Sequence, residues 1–188
     1  MPCNKLSKAQ IDAALPEIST GLRQYQEIQK RFAQNDKTSE NKALFRKRFN
    51  AFYRVRRNAD WQEVFFSLME KSKNETLSFQ QVLTTLHQET KRYEASFASK
   101  LVATINPELP VIDKFVLQNM GLSLPSYSAR DRASRILQVY SDLQNNFDKC
   151  LKSETGRYLV NAFKSMYPDA KITEVKMLDL VLWKTRKK

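Results

Sequence analysis

The chain has 188 residues, which is enough for one domain and too short for two ordinary ones. Its 32 lysines and arginines outnumber 20 acidic residues, and a formal net charge of +12 favours a polyanionic partner, most often nucleic acid. Three glycines, one histidine and two cysteines exclude a glycine-rich phosphate loop, a structural zinc site and an iron–sulfur cluster.

These counts favour a protein without a cofactor. No segment is apolar enough to span a membrane, and the first residues lack the apolar run of a signal peptide. We therefore expect a cytoplasmic monomer without a membrane partner. Its two cysteines, Cys3 and Cys150, are then expected to remain thiols.

The first half of the chain shows helical periodicity and no convincing alternation typical of strands. A polar linker is predicted at residues 35–39, followed by a helix that carries Phe45, Phe49 and Phe52 on one face. Three pairs with capping-box spacing predict helix starts, namely Ser7 with Gln10, Asp60 with Glu63, and Ser78 with Gln81.

The second half continues the helical pattern, with one clear break. A helix is predicted from Ala95 to Ile105, and the prolines of residues 106–110 end it. A short helix follows from Asp113 to Gly121, and long amphipathic helices fill the rest of the chain up to a last helix capped by Thr173. The sequence therefore predicts an all-α fold, a single domain over residues 1–188 with about eight or nine helices. Residues 184–188 are predicted to be a frayed basic tail.

The densest basic segment runs from Lys42 to Arg57 and contains no acidic residue. We call its seven cations the basic block: Lys42, Arg46, Lys47, Arg48, Arg54, Arg56 and Arg57. On a helix the phenylalanines would pack inward and the cations would face outward, as on a phosphate-binding surface with about five to seven phosphate contacts. The alternative is a solvated helix face without a partner.

Asp113 is the carboxylate whose surroundings suggest chemistry. It follows a proline-containing loop and stands at the predicted start of a helix, where backbone amides favour the ionised form. The alternative is that Asp113 is only the helix N-cap, because Asp is among the favoured capping residues.

The run Leu109-Pro110-Val111-Ile112-Asp113-Lys114-Phe115-Val116, closing at Met120-Gly121-Leu122, resembles the helix–hairpin–helix DNA glycosylase superfamily. The resemblance covers about 45 residues, from Phe79 to Leu122. It departs from the family at the hairpin, where residues 91–94 contain no glycine, and at Phe115, where the family often has a histidine. The chain resembles the family branches without an iron–sulfur cluster, because it lacks the cysteine ligands that such a cluster needs.

The resemblance implies that Asp113 is the catalytic aspartate. A fixed carboxylate there would stabilise the oxocarbenium-like sugar and activate a water as the base leaves. Bifunctional members also use a lysine that attacks the sugar, and Lys100 is the candidate. An ungapped alignment instead places the family's lysine position near Ala95, which would mean a monofunctional enzyme.

The same hypothesis assigns the groups that bind double-stranded DNA with a flipped base. The base pocket would be lined by Trp61, Tyr93, Phe97 and Tyr127. The DNA-binding candidates are Arg46, Arg54, Arg56, Arg57, Lys91, Arg92 and Lys114. His87 is predicted to be a surface residue. The excised base and the choice between repair and defence against modified phage DNA stay open, and the alternative function is a non-catalytic helical nucleic-acid-binding protein.

Overall fold

The structure, a computed structural model, describes residues 6–34 and 38–185. These ranges contain helices and no strand, which confirms the predicted all-α fold. The first two α-helices are joined without a break by a 3₁₀ turn at Leu15–Ile18, where Pro16 lies, so the described part has nine separate helical segments. The bounds are α1 Lys8–Ala14, α2 Ser19–Ala33, α3 Ser39–Tyr53, α4 Ala59–Lys71, α5 Phe79–Thr90, α6 Ala95–Ile105, α7 Lys114–Met120, α8 Arg132–Leu151, α9 Glu154–Met166 and α10 Glu174–Lys184.

Most helices begin at the polar residues that the sequence indicates. Ser7 and Ser78 form complete capping boxes, and Thr173 caps α10 by accepting a hydrogen bond from the Lys176 amide. The predicted box at Asp60 is wrong, because the Asn58 side chain accepts from the Trp61 amide and α4 starts one residue before Asp60. Asp60 lies in the first turn, where its charge still suits the helix dipole.

The helix α10 lies at the centre of the second half of the fold. It packs against α1, α7, α8 and α9, and every residue from 176 to 182 is buried. A helix that is buried on all sides is expected to be apolar all round. Lys176 and Asp179 break that rule.

Aromatic side chains join α3 to α4. Phe49 is fully buried, and its ring centroid lies 5.6 Å from those of both Phe65 and Phe66. Phe45 contacts the same cluster, which confirms that the phenylalanines of α3 face inward. The cations of the basic block consequently face other helices or solvent.

Three expectations need correction or fall outside these ranges. Cys150 is disulfide-bonded and fully buried, so the expectation that it remains a thiol is wrong. Of the predicted linker, residues 35–37 lie outside the described residues, and Ser39 already belongs to α3. Of the predicted tail, Lys184 ends α10, Thr185 is buried, and residues 186–188 lie outside the described residues.

Candidate functional site

Four segments of the chain enclose one small cavity: the end of α3, the middle of α6, the start of α7, and α10. Its volume is about 120 Å³. Its lining includes two lysines, one arginine and two aspartates, and the other residues are aromatic or aliphatic. We call this the charged cavity, and its lining is Phe52, Tyr53, Arg54, Lys100, Val111, Asp113, Phe115, Lys176, Asp179, Leu180 and Trp183.

Asp113 and Lys100, the two residues predicted to be catalytic, both line this cavity. Asp113 is the N-cap of α7, and its Oδ1 accepts a hydrogen bond of 2.8 Å from the Phe115 amide. Within the described residues this is the one hydrogen bond of the carboxylate, so the second oxygen is left for a ligand. Capping therefore fixes the orientation of the Asp113 carboxylate and engages only one of its two oxygens.

The loop before α7 is tied to α6, which fixes the spacing between Asp113 and Lys100. The Ser99 hydroxyl accepts from the Ile112 amide at 2.8 Å, and the Ser96 hydroxyl donates to the Ile112 carbonyl at 2.8 Å. Ile112 immediately precedes Asp113, so both of its backbone polar groups are anchored next to the candidate catalytic residue.

More distant hydrogen bonds hold the rest of the same loop. The Tyr140 hydroxyl on α8 donates to the Pro110 carbonyl at 3.2 Å, and the Thr173 hydroxyl donates to the Pro107 carbonyl at 2.7 Å. Prolines supply no amide hydrogen, so the chain can be tied at these positions only through carbonyls. Three helices thus position the loop that carries Asp113.

The Lys100 side chain is half-buried. Its Nζ lies 3.4 Å from the Tyr53 carbonyl and 4.8 Å from the centre of the Phe97 ring. Burial lowers the pKa of Lys100 to about 8, although Asp113 and Asp179 oppose the shift. Near neutral pH, Lys100 is therefore an uncharged, nucleophilic amine in a fraction of the protein molecules.

Lys176 and Asp179 are functional candidates that the sequence reasoning missed. They are 5% and 6% exposed, and Lys176 Nζ lies 2.6 Å from Asp179 Oδ2. Burial raises the pKa of Asp179, and the Lys176 ammonium opposes that rise. The sequence signal was two opposite charges three residues apart in an apolar helix, because Lys and Asp are rarely buried without a reason.

The Tyr53 hydroxyl is a second feature that sequence reasoning did not find. Tyr53 ends α3, and its hydroxyl is buried without a hydrogen bond of good geometry among the described residues. The Thr104 hydroxyl donates to the Lys100 carbonyl at 2.7 Å, and its interaction with the phenol lowers the Tyr53 pKa against the effect of burial. Burial raises the pKa of Tyr53, with a smaller contribution from the Asp179 charge, so the group is a neutral phenol.

None of the four predicted base-pocket residues lines the charged cavity. Phe97 comes nearest, because its ring contacts the Lys100 ammonium.

Trp61 is buried against Phe65 and Phe97. Tyr93 stacks on His87 at 3.8 Å, which makes His87 half-buried instead of a surface residue. Tyr127 is 95% exposed on a separate surface groove.

The basic block divides into paired and unpaired cations. Arg46 pairs with Glu63, Arg48 with Glu27, and Arg57 with Glu94. Arg54 and Arg56 are exposed with no acidic partner in the described residues, as are Lys42 and Lys47. Arg54 lies beside the charged cavity, with its guanidinium 6.0 Å from the centre of the Trp183 ring.

A wide groove on the surface begins where the basic block ends. Arg57, Lys91, Arg92 and Arg132 line it together with Tyr127. Lys91 is the C-cap of α5, in the left-handed conformation at φ 57°. Lys114, the remaining DNA-binding candidate, is exposed at the first position of α7.

Comparison of the chain with protein-family models, with curated proteins and with solved structures found no significant match. Among the described residues, no group of three or more His, Cys, Asp or Glu side chains is arranged to hold a metal ion. Within those same ranges, every helix is too short or too polar to cross a bilayer.

Proposed function

We propose that the protein is a DNA glycosylase that hydrolyses the N-glycosidic bond of a damaged or modified base, with Asp113 as the catalytic carboxylate. The observation that carries the proposal is the meeting of Asp113 and Lys100 in one small cavity, at the edge of a surface with exposed arginines. The resemblance of residues 79–122 to the helix–hairpin–helix glycosylases supports the same reaction.

Asp113 suits the chemistry of base removal. As the bond between C1′ and the base nitrogen breaks, its electron pair stays with the base and positive charge develops on the sugar. An oriented carboxylate stabilises that charge and accepts the proton of the water that adds to C1′. The Asp113 oxygen left without a hydrogen bond provides the acceptor, and the anchored Ile112 keeps it in place.

Lys100 adds a lyase route to the proposal. Its uncharged amine can replace water as the nucleophile at C1′, with its proton passing to Asp113 as the base leaves. Asp113 then returns that proton to O4′ as the C1′–O4′ bond breaks and the nitrogen lone pair forms the double bond, which leaves a protonated Schiff base between Nζ and C1′. The lowered pKa of Lys100 and its position in the same cavity as Asp113 favour this bifunctional reading over the monofunctional one.

Unpaired arginines give a path for the DNA backbone next to the cavity. Arg54 lies at the rim of the charged cavity, and Arg56 is exposed two residues further along the same loop. From there the groove with Lys91, Arg92 and Arg132 continues the positive surface. Phosphate contacts of this kind position a duplex without reading its sequence.

The test is base release. Purified protein is incubated with DNAs that differ in base content, including genomes with modified bases, and the resulting abasic sites are cleaved with alkali. Strand breaks after alkali in the wild type, and their loss in Asp113→Asn, are expected. If no DNA yields abasic sites, the glycosylase proposal fails.

The second candidate is a non-catalytic nucleic-acid-binding protein. It is favoured by the hydrogen bond from the Phe115 amide, because that bond gives Asp113 a capping role without any catalysis. In this case Asp113→Asn and the wild type would bind DNA equally well, and neither would release a base.

A further inference from the structure

Two features of the charged cavity are costly to bury: the ion pair of α10, whose Lys176 ammonium also lies 4.5 Å from the centre of the Tyr25 ring, and the Tyr53 hydroxyl. A buried ion pair stabilises a fold little, because desolvation offsets the attraction between the charges. A buried hydroxyl without a partner is unfavourable outright. Asp113 and Lys100 need neither feature for the bond-breaking step. Both are explained if a ligand supplies the missing hydrogen bonds.

The unused hydrogen-bonding capacity at this end of the cavity can be counted atom by atom. Lys176 has three N–H donors and, within the described residues, gives a hydrogen bond only to Asp179. Asp179 Oδ1 accepts none there. The Tyr53 hydroxyl can donate and accept, and within the described residues it makes no hydrogen bond of good geometry. Together the Lys176, Asp179 and Tyr53 side chains present hydrogen-bond donors next to an acceptor.

Apolar side chains form much of the remaining lining. Phe52, Trp183 and Leu180 line the cavity, together with Val111 and Phe115. Aromatic and aliphatic side chains hold a flat ring by its faces, while polar groups read its edge. The volume of about 120 Å³ is close to the roughly 150 Å³ of an engineered cavity that admits one benzene ring.

We propose that Tyr53, Lys176 and Asp179 read the edge of the excised base, and that this base has a single ring, as pyrimidines do. Pyrimidines present an N–H next to a carbonyl or ring nitrogen, which matches the Asp179 acceptor beside the Lys176 donors. A purine has two fused rings and is larger than the one benzene ring that a cavity of roughly 150 Å³ admits. This inference rests on the proposed glycosylase activity and names its substrate class.

The test compares base release from matched duplexes that carry one altered pyrimidine or one altered purine. The variants are Tyr53→Phe and Asp179→Asn. Tyr53→Phe removes only the unpartnered hydroxyl, so folding is unaffected, and release of the pyrimidine should fall roughly 10-fold, the effect of losing one hydrogen bond. Asp179→Asn replaces an acceptor by an amide that also donates, so preference between cytosine-type and uracil-type bases should shift roughly 10-fold or more.

Matched controls lie outside the cavity. Tyr167→Phe removes a hydroxyl that donates to the Leu15 carbonyl, and Asp142→Asn changes a half-buried aspartate on α8. Neither should alter the pyrimidine-to-purine ratio. Circular dichroism and melting curves establish that each variant is folded, and if Asp179→Asn is not, Tyr53→Phe decides alone.

The outcomes separate the two proposals. Release of the purine in preference to the pyrimidine, or unchanged release and base preference in the folded variants, would overturn the base-reading inference while leaving the glycosylase intact. Failure of the wild type to release any base would overturn the proposed function itself. Release of pyrimidines that falls in Tyr53→Phe and not in Tyr167→Phe supports both.

Discussion

The charged cavity and the basic block hold their charged groups under opposite physical conditions. In the cavity two lysines lie beside two aspartates, and one of each, Lys176 and Asp179, is buried. In the block seven cations occur without an acidic residue between them, yet three are paired with glutamates elsewhere in the chain. In the low dielectric of the cavity each charge interacts strongly with its neighbours, whereas solvent screens the ion pairs on the surface. Local charge density is thus a poor guide to where a charge matters most.

The largest expected effect concerns the buried pair. Lys176→Met leaves Asp179 as a buried charge without its partner and should lower the free energy of unfolding by about 3–5 kcal/mol. The double variant Lys176→Met/Asp179→Leu removes both charges and should recover most of that loss. Urea unfolding of the three proteins measures this.

A matched exposed pair supplies the control for that experiment. Lys152, the C-cap of α8, lies 2.8 Å from Asp148 on that helix, and the two side chains are 75% and 60% exposed. Lys152→Met should change stability little, because exposed pairs are screened. Equal losses for Lys176→Met and Lys152→Met would show that burial does not distinguish the two regions.

Asp113→Asn is expected to have the next largest effect, on catalysis and not on folding. An asparagine oxygen can still accept from the Phe115 amide, so stability should change by less than about 1 kcal/mol. Loss of the charge that faces the sugar should slow base release about 100-fold or more. DNA binding should be equal or tighter, because a negative charge near the phosphates is gone.

Base release under single-turnover conditions and DNA binding by fluorescence anisotropy check this pair of statements. Normal base release in a folded Asp113→Asn would reduce the carboxylate to a helix cap. The function would then rest on the surface arginines alone, and the nucleic-acid-binding alternative would be favoured.

These two regions also show which parts of the molecule can be read from sequence. The helix boundaries were predictable because caps such as Ser78 and breaks such as Pro107 act within a few residues. Lys100 and Asp113 lie on adjoining segments, so a local motif carried both. Tyr53 and the pair on α10 come from distant parts of the chain, and only the packing of α10 brings them to the cavity. No local sequence pattern predicts that Tyr53 lies next to the pair on α10.

Lys100 offers a sharper test of the cavity as a low-dielectric site. Its pKa of about 8 lies below the ordinary value of 10.5, so the uncharged amine increases as pH rises towards 8. Schiff-base formation, trapped by borohydride on DNA that loses a base, should rise up to about tenfold per pH unit below 8 and then level off.

Two variants separate Lys100 from its surroundings. Lys100→Ala should abolish trapping, and Lys114→Ala, which removes an exposed lysine from the start of α7, should not. Base release that persists in Lys100→Ala without strand nicking would confine Lys100 to the lyase step. Trapping that is absent in the wild type as well would establish the monofunctional reading.

The linkage to stability has a definite sign. The folded state lowers the pKa of Lys100, so between pH 8 and 10.5 the unfolded chain binds more protons at this group than the native protein does. The contribution of Lys100 to stability therefore improves as pH rises through that window. Lys100→Met removes this contribution, and unfolding curves at pH 8 and pH 10 detect the difference.

The smallest expected effect lies on the surface, in the salt dependence of DNA binding. Each phosphate contact contributes about 0.9 to the slope of log K against log salt on duplex DNA. Arg54 and Arg56 are exposed and unpaired, so the double variant Arg54→Ala/Arg56→Ala should reduce the slope by about two units. Arg46 holds Glu63 and packs over the Phe66 ring, so Arg46→Ala should leave the slope almost unchanged. If Arg46→Ala reduced the slope as much as the loss of Arg54 does, ion pairing within the basic block would not select which cations meet the phosphates, and the division of the block into paired and unpaired cations would fail.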